Sequence, residues 1–444
     1  MSCSCGGWKC TLRKTPGLRL VAGDVRLGAI LTDFYSMGRT MLTVKDALAA
    51  ILENVSVADV QNVALTDSLG LVLAEDLATP HDSPPFAKSM MDGFVVNSAG
   101  FAGDEERTLA VGETITAGTV PQQPVQPDAA ARIMTGAPIP ELADCVIPIE
   151  RVAFDESKPQ SVTISGEFVT AGRHILQQGA SAQKDTLLMS RGTKLQPQHI
   201  AVLAEFGMAT LPVFRPPTVA VLATGDELLS VDQPLSAGRI RNSNEPMLAA
   251  QIHRAGGVAM PLGIAKDSRD DLRHRIARGL ECDFLLLSGG VSAGTLDLVP
   301  SELAAAGVQQ VFHKIQMKPG KPLWFGRADG ERSCRVFGLP GNPVSSMICF
   351  ELFVRAALWK HCGLPDDAPA TLSAKLTEDV TVKGDRVTWF PMRLQYSPAG
   401  LTATPVPWGG SADLRSTADA NGMAELNPQT EPYTVGNSVE VIWW

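Results

Sequence analysis

Four short stretches concentrate residue types able to hold and activate an anionic ligand. In "SGGVSAGTLD" (residues 288–297), Gly289, Gly290 and Gly294 let backbone N–H groups approach an anion. Ser292 and Thr295 add hydroxyl donors there, and Asp297 closes the run with a carboxylate. The run lacks the GK[ST] of a Walker loop and the spacing of G-x-G-x-x-G. In "ATGDEL", Gly225 permits a tight turn, and Asp226 and Glu227 place two carboxylates behind it. In "HKIQMKPGKPLWFG", Lys314, Lys318 and Lys321 fall within eight residues, and Pro319 and Pro322 stiffen the loop that carries them. In "GLPGNPVSS", a helix start with Asn342 as cap and Pro343 in its first turn offers, with Ser345, a second anion site.

Each stretch also has an ordinary reading as a capped turn, a glycine-rich turn or a solvated charge run. A fifth, "IRNSN", is weaker: one of Asn242, Ser243 and Asn244 caps a helix, and the others remain for a polar ligand. Together, two phosphate-like sites and a lysine cluster imply a ligand with several anionic groups. Carboxylates beside such a ligand imply a divalent metal, because bare carboxylates would repel it. For Asp297, metal coordination or recognition of a heterocycle fits better than direct phosphate binding.

The elements needed to position these loops are legible. "TVAVLAT", "VAMPLGI", "DFLLLS" and "RVFGL" read as strands. They alternate with helices at "PMLAAQIHRAGG", "SRDDLRHRIARGL", "VPSELAAAG" and "NPVSSMICFELFVRAALWK". That alternation predicts a doubly wound parallel α/β sheet covered on both faces, whose ligands bind outside the carboxyl ends of the strands. Upstream, "TVKDALAAILENV" predicts an amphipathic helix capped by Thr43 with Asp46 at its third position, and "PQHIAVLAEFG" a helix ending on Gly207. Residues 86–172 read as a β-rich module of short strands. After "LPDDAPA", the runs "TLSAKLTEDVTV", "RVTWFPMRL", "LTATPV" and "SVEVIWW" read as a small β domain.

At 444 residues, the chain has length for several domains. Its net charge of −9 argues against nucleic acid as the main partner. No apolar run reaches the roughly 20 residues of a membrane span, and the first residues lack the apolar stretch of a signal peptide. A soluble, cytoplasmic protein is expected, with no membrane partner. Cys145, Cys282, Cys334, Cys349 and Cys362 read as small core residues. Cys3, Cys5 and Cys10 have no fourth metal ligand nearby, and residues 1–40 read as an extension of unknown order.

Taken in order, "PPFAKSMMDGFVV", "RIMTGAPIP", "VAVLATGDEL", "IRNSN", "SGGVSAGTLD", "KPGKPLWFG" and "GLPGNPVSS" resemble the MoeA/gephyrin E-domain family, the molybdopterin molybdenumtransferases, from about Met41 to Trp444. The resemblance implies four domains. Residues 41–85 and 173–217 form a discontinuous mixed dimerisation domain, with the β-rich domain 86–172 inserted into it. Residues 218–362 form a molybdopterin-binding, MogA-like α/β domain, and 363–444 a C-terminal β-barrel. The implied reaction inserts molybdenum from molybdate into adenylated molybdopterin and releases AMP, assisted by Mg²⁺.

The resemblance also implies a homodimer whose cleft is shared between subunits, Asp92 and Thr135 reaching in from the partner chain, with molybdopterin adenylyltransferase as an upstream partner. By motif position, Asp297, Lys314 and Lys318 match the family's functional aspartate and lysines. Lys318, Lys321, Pro340, Pro343 and Ser345 fall to the molybdate pocket. Gly225, Asp226, Glu227, Asn242, Ser243, Asn244, Gly289, Gly290, Ser292, Gly294, Gly341, Asn342 and Ser411 fall to the pterin-nucleotide, and Asp226, Glu227 and Asp297 to the metal.

Ser181, His199, Asn242 and Pro391 depart from residues common in the family and remove charge from the cleft rim, as in a divergent paralogue. Two other readings stand beside the transferase: adenylation of molybdopterin, and a non-catalytic pterin-binding or scaffold protein. Tungstate is nearly isosteric with molybdate, so its insertion stands beside molybdate insertion.

Overall fold

The computed structural model describes residues 41–266, 268–291, 298–330, 333–365, 370–398 and 400–444. Six strands of its central sheet are numbered here along the chain: β1 (Thr218–Thr224), β2 (Val258–Ala265), β3 (Phe284–Ser288), β4 (Gln309–His313), β5 (Trp324–Ala328) and β6 (Cys334–Leu339). Their order is β2-β1-β3-β6-β5-β4. β2, β1, β3 and β6 are parallel neighbours, as expected. β5 runs antiparallel to both its neighbours, β6 and β4, which corrects the expectation of an all-parallel sheet. Only residues 329–333 join β5 to β6, and a parallel crossover needs a dozen or more.

Alternation along the strands divides two cores. Val219, Val221, Phe284, Leu286, Phe337 and Leu339 face one side, packed with Leu248 and Ile252 of helix Asn244–Arg254 and with Ile348 and Phe353. Ala220, Leu222, Leu285, Leu287 and Val336 face the other, packed with Leu272 and Ile276 of helix Arg269–Gly279 and with Leu303. Successive strand residues point to opposite faces, so a sheet covered on both sides needs the continuous apolar runs seen in the sequence. The helix that opens at Pro343 is α-helical to Cys349, widens into a π turn over Phe350–Val354 and resumes over Arg355–His361.

The helix Val44–Glu53 is capped as expected: the Thr43 hydroxyl accepts the Asp46 N–H at 3.1 Å. Its buried face, Ala47 and Ile51, packs into the first core of the α/β unit. Further along, Val60–Ala64 pairs antiparallel with Thr210–Phe214 and Leu77–Ala78 with Leu187–Met189. Between them lies a six-stranded sheet spanning Gly93 to Ser165.

Arg215 ties this region to the α/β unit. Its guanidinium grips the Asp283 carboxylate with two bonds of 2.7 and 2.8 Å. The Thr218 N–H and hydroxyl add bonds of 2.7 and 2.9 Å. Burial pushes the Asp283 carboxyl up, but these donors and His361 outweigh it and hold the pKa at about 2. In the C-terminal region five strands close a barrel: Val387–Ser397 pairs with Gly400–Pro405 and with Gly422–Leu426, and Thr371–Leu376 and Ser438–Trp443 complete the ring. Pro391 lies in the first of these strands opposite Met423. Among the described residues, no helix is long and apolar enough to cross a membrane.

Candidate active site

β1 leads to β2 on one side of the sheet, and β3 then returns on the other side of β1. The carboxyl ends of β1 and β3 therefore diverge at a topological switch point, where a crevice must open. A cavity of about 770 Å³ lies there. Thr224, Gly225 and Glu227 line it at and beyond the end of β1, Ser288, Gly289 and Gly290 at and beyond the end of β3, and Pro340, Gly341, Asn342 and Pro343 after β6. Arg241 and Ser243 form a further wall, Pro322 brings in the lysine–proline loop, and Ala412 and Leu414 arrive from the C-terminal region.

Two glycines are required by the close packing of these ends. Gly289 has φ +94, and a Cβ there would stand 2.7 Å from the Thr224 carbonyl oxygen. Gly290 has φ +66, and its Cβ would stand 2.7 Å from a Val299 methyl and 2.8 Å from the Thr224 hydroxyl. The Gly289 N–H is occupied by the Leu339 carbonyl at 3.1 Å, so it is not among the donors offered to a ligand. The Glu227 carboxylate folds against the open side of Gly225.

The structure sorts the remaining expected residues. Asn242 caps the helix: its carbonyl oxygen accepts the Glu245 N–H at 3.2 Å and its amide donates to the Glu245 carboxylate at 3.1 Å. Burial pushes the Glu245 carboxyl up, and that amide opposes the rise. Asn244 is buried and does not line the cavity. Asn342 stands at the helix start but spends its amide on the Ser411 hydroxyl at 2.9 Å, while the Ser411 carbonyl accepts the Val344 N–H at 3.2 Å. Ser411 therefore docks the barrel loop onto this helix, and Ser345 is buried one turn inside it. Asp226 neighbours the lining without joining it.

Lys314, Lys318 and Lys321 also stay off the wall. Lys314 takes φ +72 and donates its N–H to Leu323, while the Lys318 ammonium reaches the Lys383 carbonyl at 3.5 Å. Asp92 and Thr135 meet each other on the exposed side of the inserted sheet: Asp92 accepts the Thr135 hydroxyl at 2.6 Å and its N–H at 2.7 Å. These bonds hold the Asp92 carboxyl below the usual carboxylate range. Neither residue lines this cavity. Ser292, Gly294, Thr295 and Asp297 lie outside the described residues, as does the extension 1–40.

Sequence reasoning missed Arg241, Ser288, Thr224 and the barrel residues Ala412 and Leu414. Arg241 and Ser288 sit inside "IRNSN" and at the start of "SGGVSAGTLD", so adjacency to those motifs was the available signal. The departures have local structural work. His199 Nδ1 accepts the Gln196 N–H at 3.1 Å and caps its helix, and the Ser181 N–H bonds the Ser83 carbonyl.

Three family models match in order: the MoeA N-terminal region (domain I and II) over residues 42–207, the probable molybdopterin binding domain over 220–360, and the MoeA C-terminal region (domain IV) over 373–444. A curated protein of Bacillus subtilis named molybdopterin molybdenumtransferase is 36% identical, covering 91% of this chain and 94% of that protein. A Staphylococcus aureus protein of the same name is 34% identical, covering 91% and 96%. The crystal structure of a molybdopterin biosynthesis MoeA protein from Pyrococcus horikoshii superposes with a TM-score of 0.76 at 28% identity, covering 91% of this chain and 100% of that one. With its three regions in family order and its relatives matched nearly end to end, this chain belongs to the MoeA/gephyrin E-domain family.

Proposed function

We propose that this chain is an enzyme of molybdenum cofactor biosynthesis that inserts molybdenum from molybdate into adenylated molybdopterin and releases AMP. The observation that carries this reading is the cavity of about 770 Å³, walled by the loops after β1, β3 and β6 and closed by a barrel loop. It is large enough for a pterin-nucleotide. Its polar lining joins the Arg241 cation to the hydroxyls of Thr224, Ser243 and Ser288, which suits a ligand with phosphates. In this reading Lys314, Lys318 and Lys321, carried off the wall on the loop that supplies Pro322, receive the molybdate with Pro340 and Pro343 of the wall and Ser345 of the helix behind it. By motif position, Asp297 is the functional aspartate of this reading.

The donor set fits Mg²⁺. Among the described residues no group of three His, Cys, Asp or Glu forms a metal cage. Mg²⁺ does not require one, because one or two carboxylates plus substrate phosphates hold it. Asp226 and Glu227 at the mouth, with Asp297, would supply those carboxylates. When bound, the metal neutralises phosphate charge at the anhydride.

Asp92 and Thr135 are exposed and away from their own chain's cavity, which suits a homodimer in which they complete the cleft of a second copy. A four-domain layout and a cytoplasmic location complete the reading. The test is AMP release from adenylated molybdopterin. The reading requires release that depends on molybdate, and release no faster than a protein-free blank would refute it.

A further inference from the structure

Asn244 meets Ser288 from behind the cavity wall that Ser288 lines. Asn244 is 8% exposed and Ser288 2% exposed. One opens helix Asn244–Arg254 and the other ends β3. The Asn244 side-chain N–H₂ donates to the Ser288 hydroxyl oxygen at 2.6 Å and to the Gly341 carbonyl at 2.8 Å. A carbonyl can only accept, so Gly341 decides which end of the amide points toward it. Both amide hydrogens are then used, and Ser288 is the acceptor of one. The Ser288 proton cannot return to that nitrogen. Among the described residues no hydrogen bond takes it, and Ser288 lines the cavity.

We propose that Asn244 is a positioning residue that fixes Ser288 as a hydrogen-bond donor into the cavity, and that Ser288 binds a phosphate oxygen of the adenylated ligand. This rests on the transferase reading. A phosphate is the acceptor that fits the wall: Arg241 is the cation among the described lining residues, and the Thr224 hydroxyl is the neighbour of Ser288 across the switch point. Asn244 also joins three walls at once, because it holds the ends of β3 and β6 against its own helix. Its role is therefore to set the direction of the Ser288 proton and the spacing of the loops, without touching the ligand.

The experiment titrates AMP and adenosine into the full chain by calorimetry. Ser288→Ala removes a donor to a charged acceptor, so AMP binding should weaken at least about tenfold, while adenosine binding stays within about twofold of wild type. In Asn244→Asp the carboxylate accepts the Ser288 proton and turns it away from the cavity, so AMP affinity should fall similarly. The double variant should then be no weaker than Asn244→Asp alone. Ser288→Ala that binds AMP like wild type, or that loses AMP and adenosine equally, overturns the proposal and leaves the transferase reading standing. A double variant whose losses add overturns the coupling. Wild type that binds no AMP overturns both readings. Should Asn244→Asp fail to fold, the AMP-against-adenosine split in Ser288→Ala decides alone.

Discussion

Replacing Gly289 by alanine tests whether the ends of β1 and β3 are packed as tightly as the cavity requires. At φ +94 an L side chain is strained, which costs about 1–2 kcal/mol. The new Cβ also meets the Thr224 carbonyl oxygen at 2.7 Å. That oxygen belongs to the β1 backbone and cannot rotate aside, so overpacking adds about 1–3 kcal/mol. The sum, about 2–5 kcal/mol, is a large share of the roughly 5–15 kcal/mol that a folded domain has. Gly307→Ala is the control. Its φ is +82, but no atom lies within 4 Å of its Cβ position, so it carries the backbone strain alone. Urea unfolding followed by circular dichroism should place Gly289→Ala below Gly307→Ala by the overpacking difference. Because relief must push the two strand ends apart, AMP affinity should fall in Gly289→Ala and stay unchanged in Gly307→Ala. Equal destabilisation of the two variants, with wild-type AMP binding in both, would refute the reasoning.

Three further outcomes follow from the same geometry. The Asp283 carboxyl titrates lower folded than unfolded, so its contribution of about 2 kcal/mol is present above about pH 4 and lost as pH falls toward about 2; Asp283→Asn should flatten that limb of the stability–pH curve. Ser411→Ala removes the acceptor of the Asn342 amide, a part-exposed bond whose loss costs about 0.5–1.5 kcal/mol; AMP release should slow more than the urea midpoint shifts, because the barrel loop closes the cavity. Arg241→Ala should weaken AMP binding roughly tenfold in calorimetry, and the deficit should shrink as salt is raised.

The parallel strands were legible because each is an apolar run, buried throughout in "FLLLSGG" and nearly so in "TVAVLATG", and half exposed in the edge strand β2. The hairpin that adds β5 and β4 was not. Its strands flank a loop read for its lysines, and their pairing depends on β6, which follows in the chain. Side chains that act locally were read well, as Thr43 at its helix start shows. Contacts across distance were hidden. Asn342 looked like a cap, yet its partner Ser411 lies in another region of the chain. Asn244 looked like a ligand contact, yet a buried serine and a carbonyl take its amide. Local pattern encodes which residues lie at a strand end, but it does not encode which of two neighbouring polar groups faces the cavity and which supports the other. The helix Val44–Glu53 makes the same point, since its amphipathic pattern announces a buried face without naming the core that receives it.

The central claim is that the cavity at the β1–β3 switch point turns over adenylated molybdopterin in the presence of molybdate. The most direct measurement is AMP release by the full chain, with and without molybdate, beside Asp297→Ala. Release that requires molybdate and falls to the blank in the variant is the predicted result. Release that is absent in wild type, indifferent to molybdate, or undiminished in Asp297→Ala would contradict the account.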